Sequence, residues 1–267
     1  THPYDIIFKC IDAVSDYWNK GGNGVLGLHV EGPWISKAKR GAHKEEWIFS
    51  PTLQQAKELL DYGKDIIKMI TLAPEECSDE IIRLVQSYNI IVSAGHSNAT
   101  YDEAMHAFNL GVPAATHLYN AMSPLQHRAP GMVGACFEHP SVMMPIIPDG
   151  HHVDYAAIRI AKKIAGERLF AITDAVTETT AGHYTHTFEG DKYTANGILS
   201  GSALTMNKAV YNLVHYCNIH LEEALRMCSL YPAKLMQRND IGALTAGNKF
   251  CMTVLTDDYE VKDTICN

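Results

Sequence analysis

No stretch of the sequence approaches the roughly 18 consecutive apolar residues of a membrane span. Charged residues make up 19% and hydrophobic residues 46%, so the chain has neither the charge excess of a disordered protein nor too little apolar surface for a core. Basic residues are the minority, 22 Lys+Arg against 30 Asp+Glu for a formal net charge of −8. The basic face of a nucleic-acid-binding protein is therefore missing. Cysteine is odd in number, seven in 267 residues, and shows no framework spacing. Reduced, buried thiols in a cytoplasmic protein are expected rather than disulfides. Internal repeats, low-complexity tracts and Pro/Gly-rich linkers are absent. The opening Thr1-His2-Pro3-Tyr4 has no initiator Met and no signal-peptide pattern. It leads into an amphipathic helix with Ile7, Cys10, Ile11, Val14 and Trp18 at helical spacing.

What is present is histidine, 14 residues of it, set into a βα rhythm. Six short apolar runs read as strands: Val25–Val30, Ile66–Leu72, Ile90–Ala94, Ala114–His117, Val142–Ile147 and Leu169–Thr173. Between them lie helix patterns. Ser50-Pro51 offers an N-cap and a first-turn proline ahead of Leu53, Ala56, Leu59 and Leu60. Ile81, Ile82, Leu84, Val85 and Tyr88 form another pattern, and Thr100-x-x-Glu103 is a capping box closed by Gly111. Tyr155 to Ala165 is a fourth. Strands separated by helix-length connections predict an α/β fold with a parallel sheet covered by helices. After Thr173 the rhythm changes. Tyr184–Phe188 and Lys192–Leu199, with Asn196-Gly197 as a turn, read as antiparallel strands. Met206 to Cys217 and His220–Met236 read as helices, and Phe250 to Cys266 as a hairpin turning at Asp257-Asp258.

In parallel α/β folds the C-terminal strand edge carries the chemistry. Five of the six predicted strands run straight into His, Asp or Glu: at Glu31, at Gly95-His96-Ser97-Asn98, at Thr116-His117, at Asp149-Gly150-His151-His152 and at Thr173-Asp174. One such ending signifies little, since a buried histidine is more often simply hydrogen-bonded. Five on one edge point to a metal, because imidazole and carboxylate are ligands for Zn²⁺ and Fe²⁺ and are costly to bury without a task. A catalytic centre keeps about three protein ligands. Glu31, His96 and His117 meet that count and leave Asp174 for proton transfer.

These residues carry a family resemblance. Gly27-Leu28-His29-Val30-Glu31-Gly32-Pro33, Gly95-His96-Ser97-Asn98-Ala99-Thr100, Thr116-His117-Leu118-Tyr119-Asn120-Ala121-Met122 and Thr173-Asp174-Ala175 resemble the N-acetylglucosamine-6-phosphate deacetylases of the amidohydrolase superfamily. Asp149-Gly150-His151-His152-Val153-Asp154 and Leu199-Ser200-Gly201-Ser202-Ala203-Leu204-Thr205-Met206 do so too, in family order from about Gly27 to Asn267. The resemblance implies a metal-bearing (β/α)₈ barrel over 1–245 and a remnant of a small β-sandwich over 246–267. It implies one or two divalent ions, Zn²⁺ first and Fe²⁺ second, on Glu31, His96 and His117, and Asp174 as the catalytic acid/base. The sugar-contacting residues it implies are His43, Asn120, Ala121 and His152, with Arg128 meeting the phosphate across a homodimer interface. Arg suits a phosphate dianion because its planar fork makes paired charge-assisted hydrogen bonds.

The implied reaction is hydrolysis of the acetamide of N-acetyl-D-glucosamine 6-phosphate, an amino-sugar phosphate, to D-glucosamine 6-phosphate and acetate. A dihydroorotase-like or deaminase-like amidohydrolase and a non-catalytic sugar-phosphate-binding protein are the alternatives. Ala129 and Pro148 depart from the family pattern, which commonly has Glu and a small residue there. Six strands cannot close an eight-stranded barrel. The expectation is that Glu31 lies on the third strand, His96, His117 and Asp174 on the fifth, sixth and eighth, and that the first two βα units are absent from this sequence.

Overall fold

The structure is a computed structural model that describes residues 1–180, 182–195 and 197–266. It divides into two compact units, Thr1–Val142 and Met143–Asn267.

In the first unit, helix α1 (Tyr4–Asn19) buries Ile7 and Ile11 and leads to β1 (Leu28–Glu31). Then follow α2 (Leu53–Tyr62), β2 (Ile67–Leu72), α3 (Asp79–Ser87), β3 (Ile91–Ala94), α4 (Tyr101–Asn109), β4 (Ala114–Ala115) and α5 (Gly131–Glu138). The four strands form one parallel sheet in the order β1-β2-β3-β4. Both faces of β3 are buried, as expected where helices cover a parallel sheet. Trp34, Ile35, Leu59, Leu60, Ile70, Leu72, Ile82 and Leu118 are fully buried in this unit's core. The predicted capping box at Thr100 and Glu103 is present. The cap of α2 differs from expectation. Thr52, not Ser50, accepts from the Gln55 amide, while Gln55 Oε1 accepts from the Thr52 amide at 2.9 Å, a second capping box. Helix α5 had no sequence counterpart, because Gly131 to Cys136 are all buried and no polar face marks a helical period.

In the second unit, β5 (Met144–Ile146), α6 (Tyr155–Ala165) and β6 (Leu169–Ala171) continue the pattern, with β5 and β6 parallel. An antiparallel three-stranded sheet follows: β7 (Thr187–Phe188), β8 (Lys192–Ala195) and β9 (Ile198–Ser202). The expected strand Lys192–Leu199 is thus two strands. Gly197 of the predicted turn has φ +75°, and Asn196 lies outside the described residues. Helices α7 (Met206–His215), α8 (Leu221–Cys228) and α9 (Leu230–Leu235) come next. The single helix expected over His220–Met236 breaks at Ser229 (φ −138°, ψ −67°). Pro232, four residues past Cys228, has no N–H for that carbonyl and its ring would clash with it. Ile147, Leu204 and Ala209 form a buried apolar cluster here with Ile172 and Cys228 against it.

The hairpin β10 (Cys251–Leu255) and β11 (Val261–Cys266) turns where expected. It corrects the cysteine reading. Cys251 faces Cys266 directly across the ladder, and the two form a disulfide. Antiparallel register brings them to 4.1 Å between Cα atoms, although 15 positions separate them in sequence. Cys10 is exposed, so only Cys77, Cys136 and Cys217 are the buried free thiols anticipated, with Cys228 half-buried. Among the described residues no helix is long and apolar enough to cross a membrane.

Candidate metal centre

Glu31 ends β1, and His96 and His117 each stand two residues beyond β3 and β4. A flat sheet would hold β1 and β4 about 14 Å apart. The side chains nevertheless meet: Glu31 Oε1 is 3.2 Å from both His96 Nε2 and His117 Nε2, which are 3.1 Å from each other. The four strands therefore curl toward that edge. Gly95 permits the approach of two strand ends, because a Cβ there would lie 2.5 Å from Thr116 Cβ and 3.1 Å from Thr71 Cγ2. Thr116 Oγ1 is itself tied to Thr71 Oγ1 (2.8 Å) and Ser93 Oγ (2.6 Å), and His29 Nε2 reaches Thr71 Oγ1 at 2.8 Å.

Backbone carbonyls set the imidazoles. His96 Nδ1 donates to the Lys39 carbonyl at 2.8 Å and His117 Nδ1 to the Asn120 carbonyl at 3.1 Å. A carbonyl only accepts, so each Nδ1 carries a proton and each Nε2 is turned toward the cluster. Two ring nitrogens and a carboxylate oxygen thus converge in a small, largely buried space, a donor set that could hold a cation. A tetrahedral Zn²⁺ with bonds of about 2.0–2.2 Å separates its ligand atoms by about 3.3–3.5 Å, close to the 3.1–3.2 Å edges found. The donor set fits a divalent ion. Burial pushes the Glu31 carboxyl up, but the imidazoles of His96, His117 and His43 outweigh that and hold it well below the usual carboxylate range.

His43 joins the cluster from the loop after β1, with Nε2 3.3 Å from Glu31 Oε2 and its ring 4.7 Å from that of His96. Burial lowers its pKa to about 4 against the opposing hydrogen bond to Glu31, so the ring is neutral at pH 7. Four residues beside the cluster hold left-handed backbone: His96 (φ +46°), His117 (+31°), Tyr119 (+78°) and Ala121 (+50°). Each costs about 1–3 kcal/mol and persists only where the surroundings enforce it. Asn120 gives its carbonyl to His117, and Ala121 gives its carbonyl to the Ser97 amide at 3.0 Å. Arg128 is exposed, between Gln126 and Ala129, whose backbones bond each other reciprocally at 3.1 and 3.2 Å.

The second unit holds the other two predicted site residues, each after a parallel strand. His152, past β5, donates through Nδ1 to Asp149 Oδ2 at 2.6 Å, and both side chains are under 10% exposed. Asp149 Oδ1 accepts from the His151 and His152 amides at 2.9 and 2.8 Å. Burial raises the Asp149 carboxyl, but these hydrogen bonds prevail and it lies below its ordinary value. His151 turns elsewhere, to Asp191 at 2.8 Å. Asp174, past β6, is exposed, has φ +48°, and its carbonyl accepts from the Ser202 amide at 2.7 Å. Sequence reading did not single out three supporting groups: Asp149 as the holder of His152, the Lys39 carbonyl and Glu75. A backbone carbonyl leaves no trace in residue type, and Glu75 sits in a charge-rich loop that looks like ordinary surface.

The chain belongs to the amidohydrolase family, whose model matches residues 19–267, and its parallel strands and covering helices are those of that family's metal-dependent (β/α)₈ barrel. It is similar to the N-acetylglucosamine-6-phosphate deacetylase of Haemophilus influenzae, 38% identical over 100% of this chain and 73% of that protein. The crystal structure of the Pasteurella multocida N-acetylglucosamine-6-phosphate deacetylase superposes with a TM-score of 0.94 at 38% identity, covering 100% of this chain and 72% of that one. An N-acetylgalactosamine-6-phosphate deacetylase of Escherichia coli O157:H7 is 32% identical over 98% of this chain and 73% of its own length. The amidohydrolase family implies a divalent metal, and Glu31, His96 and His117 are the group that could hold one among the described residues.

Proposed function

We propose that this chain hydrolyses the acetamide of N-acetyl-D-glucosamine 6-phosphate, releasing acetate and D-glucosamine 6-phosphate, at a divalent metal held by Glu31, His96 and His117. Zn²⁺ is the first choice and Fe²⁺ the second, as one ion or two. The observation that carries the reading is the convergence of Glu31 Oε1 with two Nε2 atoms whose rings are fixed by carbonyls. The 38% identity to the Haemophilus influenzae deacetylase supports the substrate.

A divalent ion there supplies Lewis acidity, bringing the pKa of water towards about 7 and polarising the amide carbonyl. Asp174 takes the proton of the attacking water and returns it to the amine nitrogen as the C–N bond breaks. His43 and His152, both held by carboxylates, contact the sugar and its acetamide, and Asn120 and Ala121 contact it through their backbone. Arg128 binds the 6-phosphate of the neighbouring protomer's substrate in a homodimer. We assign 1–245 to the barrel, 246–267 to a small β-sandwich domain, and the protein to amino-sugar catabolism in the cytoplasm.

The test is metal content by elemental analysis together with acetate release from the gluco and galacto 6-phosphates. Zinc in the protein and faster release from the gluco sugar are expected. Asp174→Asn should keep its zinc and lose about 100-fold or more in turnover. Zinc and sugar phosphate bound without acetate release would favour the non-catalytic alternative. Preference for the galacto epimer would move the substrate to that of the Escherichia coli relative.

A further inference from the structure

We infer that Glu75 is a positioning residue for the metal centre, fixing the turn that carries His96 and, through Ser97, the turn that carries His117, Asn120 and Ala121. The inference rests on the reading of Glu31, His96 and His117 as metal ligands.

Glu75 sits in the single 3-10 turn Pro74–Glu76 after β2, one strand away from β3 in the sheet. Its carboxylate reaches across to the residues that follow His96. Oε2 accepts from Ser97 Oγ at 2.7 Å and Oε1 from the Asn98 amide at 2.5 Å. Burial pushes the Glu75 carboxyl up, with those hydrogen bonds opposing it, so the group is held here at a desolvation cost. It caps no helix, because Thr100 and Glu103 already satisfy the start of α4.

What Glu75 holds is the junction of the two histidine turns. Ser97 donates its amide to the Ala121 carbonyl (3.0 Å), accepts from the Ser123 amide (3.1 Å), and its hydroxyl also accepts from the Ala99 amide (3.1 Å). Ser97 and Met122 form an isolated parallel bridge. One carboxylate therefore braces the residue adjoining His96 and, one hydrogen bond further on, the segment whose Asn120 carbonyl orients His117. Both histidines hold left-handed backbone that relaxes unless it is over-determined. The other bonds on the His96 turn come from backbone, at the Ser36 amide and the Lys39 carbonyl. Glu75 is the acidic side chain in that set, and groups behind metal ligands set affinity by orienting them.

The experiment uses the full chain and titrates Zn²⁺ against a chelator for wild type, Glu75→Ala, Glu75→Gln, Ser97→Ala and His117→Ala. Thermal unfolding of the zinc-free protein checks the fold, and kcat and KM are measured for acetate release. Glu75→Ala should bind zinc about 10-fold more weakly, with the loss of activity in kcat and the zinc-free Tm little changed. Glu75→Gln should fall between it and wild type, since its amide oxygen can still accept one of the two hydrogen bonds. Ser97→Ala should weaken zinc several-fold. A folded Glu75→Ala with wild-type zinc affinity overturns the inference. If that variant does not fold, wild-type affinity in Ser97→Ala overturns it instead. His117→Ala separates the underlying reading: unaltered zinc binding there would remove the metal assignment itself, whatever Glu75 does.

Discussion

At the scale of single residues, the two histidine arrangements differ in what they demand of their partners. His96 and His117 are oriented by carbonyls and share Glu31. His152 is oriented by a buried carboxylate, which makes Asp149 a measurable part of stability. Its folded carboxyl lies below the ordinary 3.8. Its contribution is therefore fully present above about pH 3.8 and is lost as pH falls through the folded value. Asp149→Asn should cost about 1–3 kcal/mol at pH 7, because the His152 ring and two amides lose a charged acceptor. Urea unfolding at pH 7, 5 and 3 should show the gap to wild type steady between 7 and 5 and shrinking at 3; a gap unchanged at pH 3 would refute this. The residue types of the centre were legible because His, Glu and Asp at strand ends are costly to bury without a task. The carbonyls and Glu75 were not, since their roles are set by direction and distance.

At the scale of elements, the strand ends must approach closely for the ligands to meet, and Gly95 stands at one such approach. A Cβ at this position would press on Thr116 and Thr71, both locked in the buried hydroxyl network. Gly95→Ala should therefore destabilise the protein by about 1–3 kcal/mol and weaken zinc binding at the same time. Parallel thermal-unfolding and zinc titrations test this, and wild-type values in both would show that the strand ends can yield. Elements with a clear period or a cap were read well: α4 with its capping box and α6 match their sequence signals. Those that failed lacked such a signal. Helix α5 is apolar all round, Thr52 competes with Ser50 for the cap two residues away, and Pro232 divides a segment whose apolar spacing runs on unbroken.

At the scale of the whole molecule, the proposed homodimer makes a prediction that no single chain can mimic. If Arg128 serves the partner's site, Arg128→Ala and Asp174→Asn should each be nearly inactive alone. Each mixed dimer would contain one site with an intact Asp174 and an intact Arg128 from the neighbour, so mixing equal amounts should restore about a quarter of wild-type activity. Acetate release after mixing, with the mass in solution measured by light scattering, decides it. Monomers, or no recovery in mixed dimers, would return Arg128 to the solvated loop on which it lies. Disulfide formation belongs to this scale as well. Cys251 and Cys266 pair because hairpin register sets them face to face, a relation that cysteine counting does not contain.

The sequence by itself determined the alternation of strands and helices and the chemical character of the strand ends. Apolar period, capping patterns and the burial cost of charged groups are local properties, carried by residue type and spacing. The tertiary structure alone decided that Glu31, His96, His117 and His43 share one cluster, which imidazole nitrogen faces it, and which distant groups hold the rings in place. Those facts depend on the curl of a sheet over four strands and on carbonyls 57 and 3 residues from the rings they orient. Distances of that kind arise only when the chain has folded.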